Sequence, residues 1–199
     1  MPATRFGGTL FVRRDHMKNA LLSLLMGVLC LGSTTGAQQT RQRSRTVADS
    51  INYIWKTVER DITTLAEAMP DNAWSFRPRS GAFEGVRTFA EQIKHVACSN
   101  FAFADQTLGE TPPEHCEAGG PNPAKTKSEL MKYLRDSFRK MDEAISRTND
   151  KNMLQPVETS YAGDNRLATL IVAVWHISDH YGQLVEYLRL NDIVPPASR

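Results

Sequence analysis

Residues 165–191 read NRLATLIVAVWHISDHYGQLVEYLRLN, and this stretch decides the fold. Val174, Ile177, Tyr181, Val185 and Leu188 recur at spacings of three and four, the period of an amphipathic helix. On a wheel of about 100° per residue, His176 and His180 lie on one flank of that apolar centre, stacked with Thr169, Ala173 and Tyr187. Asp179, Gln183 and Glu186 hold the polar side. Two histidines four apart sit one turn apart on the same side of a helix, so both imidazoles can reach one metal ion. A third nitrogen from elsewhere would give three ligands and an open position, the pattern of a catalytic rather than a structural metal.

Working outward from this helix, three more have the same period. Residues 46–69 carry Val47, Ile51, Ile54, Val58, Ile62, Leu65 and Met69, and Pro70 stops them. Residues 88–108 open on Thr88-Phe89-Ala90-Glu91, a capping box in which Thr and Glu each satisfy an orphan backbone donor. Residues 126–148 open on a second box, Thr126-Lys127-Ser128-Glu129, with Leu130, Leu134, Met141 and Ile145 turned inward. Between them, residues 71–78 form a loop with two aromatics, Trp74 and Phe76, expected to cap a bundle. Residues 109–124 hold four prolines and three glycines and read as a loop. Four amphipathic helices of this length close one core, so the expected class is all-α and the architecture a four-helix bundle. Two long connections leave the order of the helices around the bundle open. Trp55, Trp74 and Trp175 read as packing aromatics.

The N-terminal residues read differently. Residues 20–31, ALLSLLMGVLCL, follow Arg5, Arg13, Arg14 and Lys18 and precede the small residues Thr35-Gly36-Ala37. That order reads as a signal peptide over residues 1–37, with Met17 an alternative start. The apolar run falls short of the ~20 residues of a membrane span, which weighs against an uncleaved anchor. The expected location is therefore outside the cytoplasm, periplasmic or secreted. Residues 38–199 remain as one domain. The formal charge of the 199-residue chain is +2. Without the leader's four basic residues and Asp15 the balance becomes slightly acidic. No basic patch argues for nucleic acid and no second apolar span for a membrane. Cys98 and Cys116 are left as a disulfide in an exported chain or as two buried thiols, and the sequence alone keeps both open.

A third histidine capable of facing inward, His95, lies on the second helix. The apolar centre there is Phe89, Ile93, Val96, Ala104 and Leu108, and His95 is again off centre, beside Ser99 and Ala102. If the two flanks face each other, small neighbours leave room for an ion and a ligand between helices. A solvated flank has the same composition, so spacing alone leaves the site undecided. The pair is not a zincin motif, which needs Glu directly after the first histidine where this chain has Ile177. His115, in the Pro/Gly loop, reads as a surface residue, and Cys98, one turn from His95, is a further thiolate candidate.

Four stretches together resemble the DinB-like superfamily: residues 74–78 (WSFRP), residues 86–97 (VRTFAEQIKHVA), the pair His176 and His180, and residues 180–189 (HYGQLVEYLR) with the tail Ile193-Val194-Pro195-Pro196. The resemblance implies a four-helix bundle holding a divalent metal, zinc or nickel, on His95, His176 and His180. It also implies chemistry on low-molecular-weight thiols in some relatives, including isomerisation of maleylpyruvate with glutathione or mycothiol. Such thiols are cytoplasmic, so the leader favours metal-assisted hydrolysis instead. The expectation is an exported metal-dependent hydrolase or thiol or group transferase. Its substrate is an unidentified small molecule, Tyr187 and Thr169 are candidate substrate contacts, and a homodimer is kept as an assembly. No general base is visible beside the histidines, which motivates the competing expectation of a metal-binding or structural bundle without catalysis.

Overall fold

The structure is a computed structural model that describes residues 45–82, 84–158 and 162–199. The signal-peptide expectation over residues 1–37 lies outside the described residues. Among these there are four α-helices and no strand: α1 Val47–Ala68, α2 Phe89–Leu108, α3 Lys127–Arg147 and α4 Arg166–Arg189. Three single 3₁₀ turns, Asp71–Ala73, Cys116–Ala118 and Pro196–Ser198, punctuate the connections.

Each helix starts where its sequence supplies a cap. Thr88 Oγ1 accepts from the Glu91 N–H at 3.2 Å, and the Glu91 carboxylate accepts from the Thr88 N–H at 2.7 Å. Thr126 and Glu129 repeat the arrangement, as do Thr46 and Asp49 at the start of α1. Asn165 caps α4 by accepting from the Ala168 N–H at 3.0 Å. At its far end α2 stops on Gly109, whose φ of 77° suits a residue without a Cβ. Removing one cap leaves a backbone donor unpaired, so Thr88→Ala is expected to cost ~1 kcal/mol, read as a lower urea midpoint at unchanged slope.

The core is built from Trp55, Ile62 and Leu65 of α1, Phe89, Ile93 and Val96 of α2, Leu134, Phe138 and Met141 of α3, and Leu170, Ile177 and Leu184 of α4, all fully buried. Trp55 packs on Phe138 with ring centroids 5.2 Å apart. The main packing partners of both α1 and α2 are α3 and α4. The first two helices therefore sit diagonally, and the connections from α1 to α2 and from α3 to α4 both cross the bundle. Trp74 and Phe76 cap one end as expected. Trp74 donates from Nε1 to the Met69 carbonyl at 3.0 Å and stands edge-on to Phe89.

Two expectations need correction. Trp175 is not a packing aromatic, since it is 66% exposed on the outer face of α4. In α1, Val47 and Ile54 are exposed while Trp55 is buried. Trp55 instead continues the buried row of Ile62, Leu65 and Met69, and Ile54, one residue before it, is turned outward.

Candidate metal centre

The α2 and α4 flanks do face each other. His95 Nε2 lies 3.1 Å from His176 Nε2, and His180 Nε2 lies 3.1 Å from the same atom. The three imidazoles stand roughly edge to face, with centroids 4.5–5.1 Å apart. His95 and His180 are buried and His176 is half-buried. Phe103 of α2 closes the site beside His176, its ring edge-on at 5.4 Å.

The wheel placed these histidines off centre, yet the flank is inside. Packing against two helices buries a wider arc of α4, from Thr169 and Ala173 to His180 and Tyr187. Around α2 the protein closes on almost every side, burying Gln92, His95, Cys98, Ser99 and Asn100 together with the apolar positions. Ala102 and Ala173, the small residues on the same flanks, are fully buried with them.

The protonation pattern follows from burial and partners. His95 Nδ1 is 2.7 Å from the Cys116 carbonyl. A carbonyl only accepts, so Nδ1 carries the proton and Nε2 presents a lone pair to the cluster. Burial pushes His176 down to about 3, reinforced by the neighbouring His180 and His95, and pushes His180 down to about 4. Burial likewise lowers His95, partly opposed by its bond to the Cys116 carbonyl. All three are therefore neutral at pH 7, the form that binds metals.

This donor set fits a metal. A tetrahedral ion with bonds of ~2.0–2.1 Å to nitrogen spaces its ligand atoms about 3.4 Å apart, close to the 3.1 Å found. The ligand nitrogens all lie within 4.8 Å of one another, and three side chains leave one coordination position open.

Two glutamines within one turn of the histidines bridge α2 and α4. Gln92, one turn before His95, donates from Nε2 to Oε1 of Gln183, one turn after His180, at 2.7 Å. The same Gln183 donates to Asp179 at 2.8 Å, leaving Asp179 on the polar side as expected. Each glutamine lies three residues from a histidine of the cluster, the spacing that puts side chains on one helix face. The two glutamines line a cleft of about 580 Å³ whose wall also includes Arg87 and Glu117 but none of the three histidines. It shares Arg77, Val86 and Gln183 with a larger cleft of about 1220 Å³ beside Phe76, Tyr187 and Leu190.

The other candidates separate. Tyr187 lines the larger cleft and donates from its hydroxyl to the Arg87 carbonyl at 2.9 Å. Thr169 does not face a cleft. It is fully buried two turns before His176 and donates to the Ala162 carbonyl at 2.7 Å, so it is withdrawn as a substrate contact. The side chain of His115 is 82% exposed, a surface residue as read. Cys98 is joined to Cys116 in a disulfide, which settles the open alternative and removes Cys98 as a thiolate ligand.

Comparison with known proteins agrees with this picture. The model of a family described as the DinB superfamily matches residues 54–184. No curated protein matches the chain. A DinB-like protein from Bacillus cereus ATCC 10987 superposes with a TM-score of 0.62 at 15% identity, over 76% of this chain and 96% of that one. A DinB-like protein from Bacillus subtilis gives 0.56 at 18% identity, over 72% and 92%. At these identities the likeness speaks for the fold.

Proposed function

The chain belongs to the DinB superfamily, and from that membership and the converging imidazoles we propose that it is an exported metal-dependent enzyme, a hydrolase or a thiol or group transferase. His95, His176 and His180 are its metal ligands in this reading. The observation that carries it is the meeting of three Nε2 atoms from two helices, with the His95 lone pair fixed inward by a bond on the opposite nitrogen. The ion in this reading is divalent, zinc or nickel as the family resemblance implies, and imidazole ligands do not decide between the two. Bound there, it supplies Lewis-acid chemistry toward an oxygen or sulfur nucleophile.

The protein's own residues bind and orient. A small-molecule substrate enters by the paired clefts, where Arg77 and Arg87 set the local charge against Glu91 and Glu117. Gln92 Oε1 is a buried acceptor without a partner among the described residues, which suits it to a donor on the substrate. Export is supported by the Cys98–Cys116 disulfide, because such bonds persist in oxidising compartments. The same compartment weighs toward hydrolysis and against cytoplasmic thiol reagents. A homodimer belongs to this reading, with exposed Ile171 and Trp175, one turn apart on α4, as its apolar contact.

The test is the metal content of the purified protein after incubation with zinc or nickel at neutral pH. About one equivalent is expected in the parent, by the one-ion donor set, and none in a His176→Ala, His180→Ala variant. A parent that stays metal-free sinks the reading. One observation favours non-catalytic metal binding as the second reading: among the described residues the cluster contains no carboxylate to act as a base. Bound metal without turnover in hydrolase and thiol-transfer screens would select it.

A further inference from the structure

Cys98 lies three residues after His95 on α2, so the two side chains leave neighbouring points of one face. Its disulfide partner, Cys116, is the residue whose carbonyl receives the His95 Nδ1 proton at 2.7 Å. Helix, disulfide and hydrogen bond thus form one closed ring: His95 to Cys98 along α2, Cys98 to Cys116 through sulfur, and Cys116 back to His95 through its carbonyl. Both sulfurs are buried, so the ring is out of water.

The loop that delivers this carbonyl has little regular structure of its own. Residues 109–126 contain only the 3₁₀ turn Cys116–Ala118, bracketed by His115 and Gly119 at positive φ. Two features seat that turn on α2. Arg87 donates to the Glu117 carbonyl at 2.9 and 3.2 Å. Gly120 lies so close to the disulfide that an added Cβ would fall 2.3 Å from Cys98 Sγ. Apart from the main chain itself, the disulfide is the covalent tie between the turn and the helix that carries the histidine.

We propose that the Cys98–Cys116 disulfide is a positioning element for the metal centre. It holds the Cys116 carbonyl against His95 Nδ1, which keeps the proton on that nitrogen, fixes the ring orientation and leaves Nε2 bare toward His176 and His180. Outer partners of this kind commonly change metal affinity by ten- to a hundredfold. The inference rests on reading the cluster as a metal site. Its consequence is that full metal affinity belongs to the oxidised protein, and therefore to the compartment in which the disulfide survives.

The experiment compares the oxidised protein with a Cys98→Ala, Cys116→Ala variant, which breaks the tie without adding a thiolate that could itself bind metal. Zinc affinity is measured by competition with a chromophoric chelator. The tautomer of His95 is read by ¹⁵N NMR of the metal-free protein. The expected result is a ten- to hundredfold weaker zinc affinity, together with loss of the slowly exchanging Nδ1–H signal of His95, at unchanged helical circular dichroism. Zinc bound equally well by both proteins, with the Nδ1–H signal kept, overturns the proposal. No zinc in the oxidised parent, with His95 still protonated on Nδ1, overturns the metal reading instead. Should the variant not fold, the parent is reduced in place by a water-soluble phosphine. The phosphine takes an oxygen from water to become its oxide, and the sulfurs leave as two thiols. Persistence of the His95 signal in that folded, reduced protein overturns the proposal, and its loss supports it.

Discussion

Zinc at a thousandfold excess over its dissociation constant is expected to raise the unfolding free energy by about 4 kcal/mol, and that increment should hold as the pH falls from 8 through the ordinary histidine pKa of ~6.5. The reason is the burial of the ligands. An exposed imidazole exchanges its metal for a proton near its ordinary pKa of ~6.5. Here His176 is pushed down to about 3 and His180 to about 4, with His95 also lowered. Protons therefore compete for the folded site only below the ordinary histidine range. The metal-free protein behaves oppositely over the same range. A histidine whose pKa is depressed in the folded state contributes its full stability above the unfolded value, and that stability is lost as pH falls toward the folded value. Below pH ~6.5 the unfolded chain takes up protons that the native cluster refuses, each such histidine costing up to about 1.4 kcal/mol per pH unit. Both denaturation curves should thus shift down with acid while the gap between them stays constant. Urea unfolding at pH 8, 6.5, 5 and 4, with and without zinc, checks this. A gap that already narrows at pH 6.5 would mean ligands open to water.

How much of this was legible in the sequence depends on the kind of signal. Helix starts were legible because a cap is a local event. Thr88 with Glu91 and Thr126 with Glu129 each satisfy backbone donors within one turn, and the structure starts its helices there. Side-chain burial was legible only where one face of a helix is covered. The wheel serves α3, whose Leu130, Leu134, Met141 and Ile145 are all buried. It misleads on α2, where α3, α4 and the 109–126 loop leave no outer face for most of its length, and a polar flank becomes an interior one. The two histidines of α4 were visible as a pair from their spacing. Their meeting with His95 depends on which helices are neighbours, which periodicity does not encode, so only the family resemblance supplied it. The Cys116 carbonyl had no signal at all. It is a backbone atom in an irregular loop, aimed by three positive-φ residues and a disulfide rather than by any pattern of side chains.

Removing that disulfide should also destabilise the protein as a whole. Cys98 and Cys116 are 18 residues apart, and opening a loop of that length restores about 3 kcal/mol of entropy to the unfolded chain by the loop-closure model. For a domain of this size the loss corresponds to a fall in Tm of about 6–12 °C. The helical core should survive, because the residues that hold α2 to α3 and α4 lie outside the loop. The measurement belongs in metal-free buffer, where the metal's own stabilisation does not enter. It then separates two consequences of one bond. A disulfide that only restrains the unfolded chain lowers Tm equally with and without His95. One that also seats His95 does not, because in a His95→Ala background the Cys116 carbonyl has already lost its donor. A double-mutant cycle between His95→Ala and the Cys98→Ala, Cys116→Ala pair measures the difference as a coupling energy. Residues joined in one hydrogen-bonded ring are expected to couple by ~0.5–3 kcal/mol, whereas additive effects would leave the disulfide a staple for the loop and nothing more.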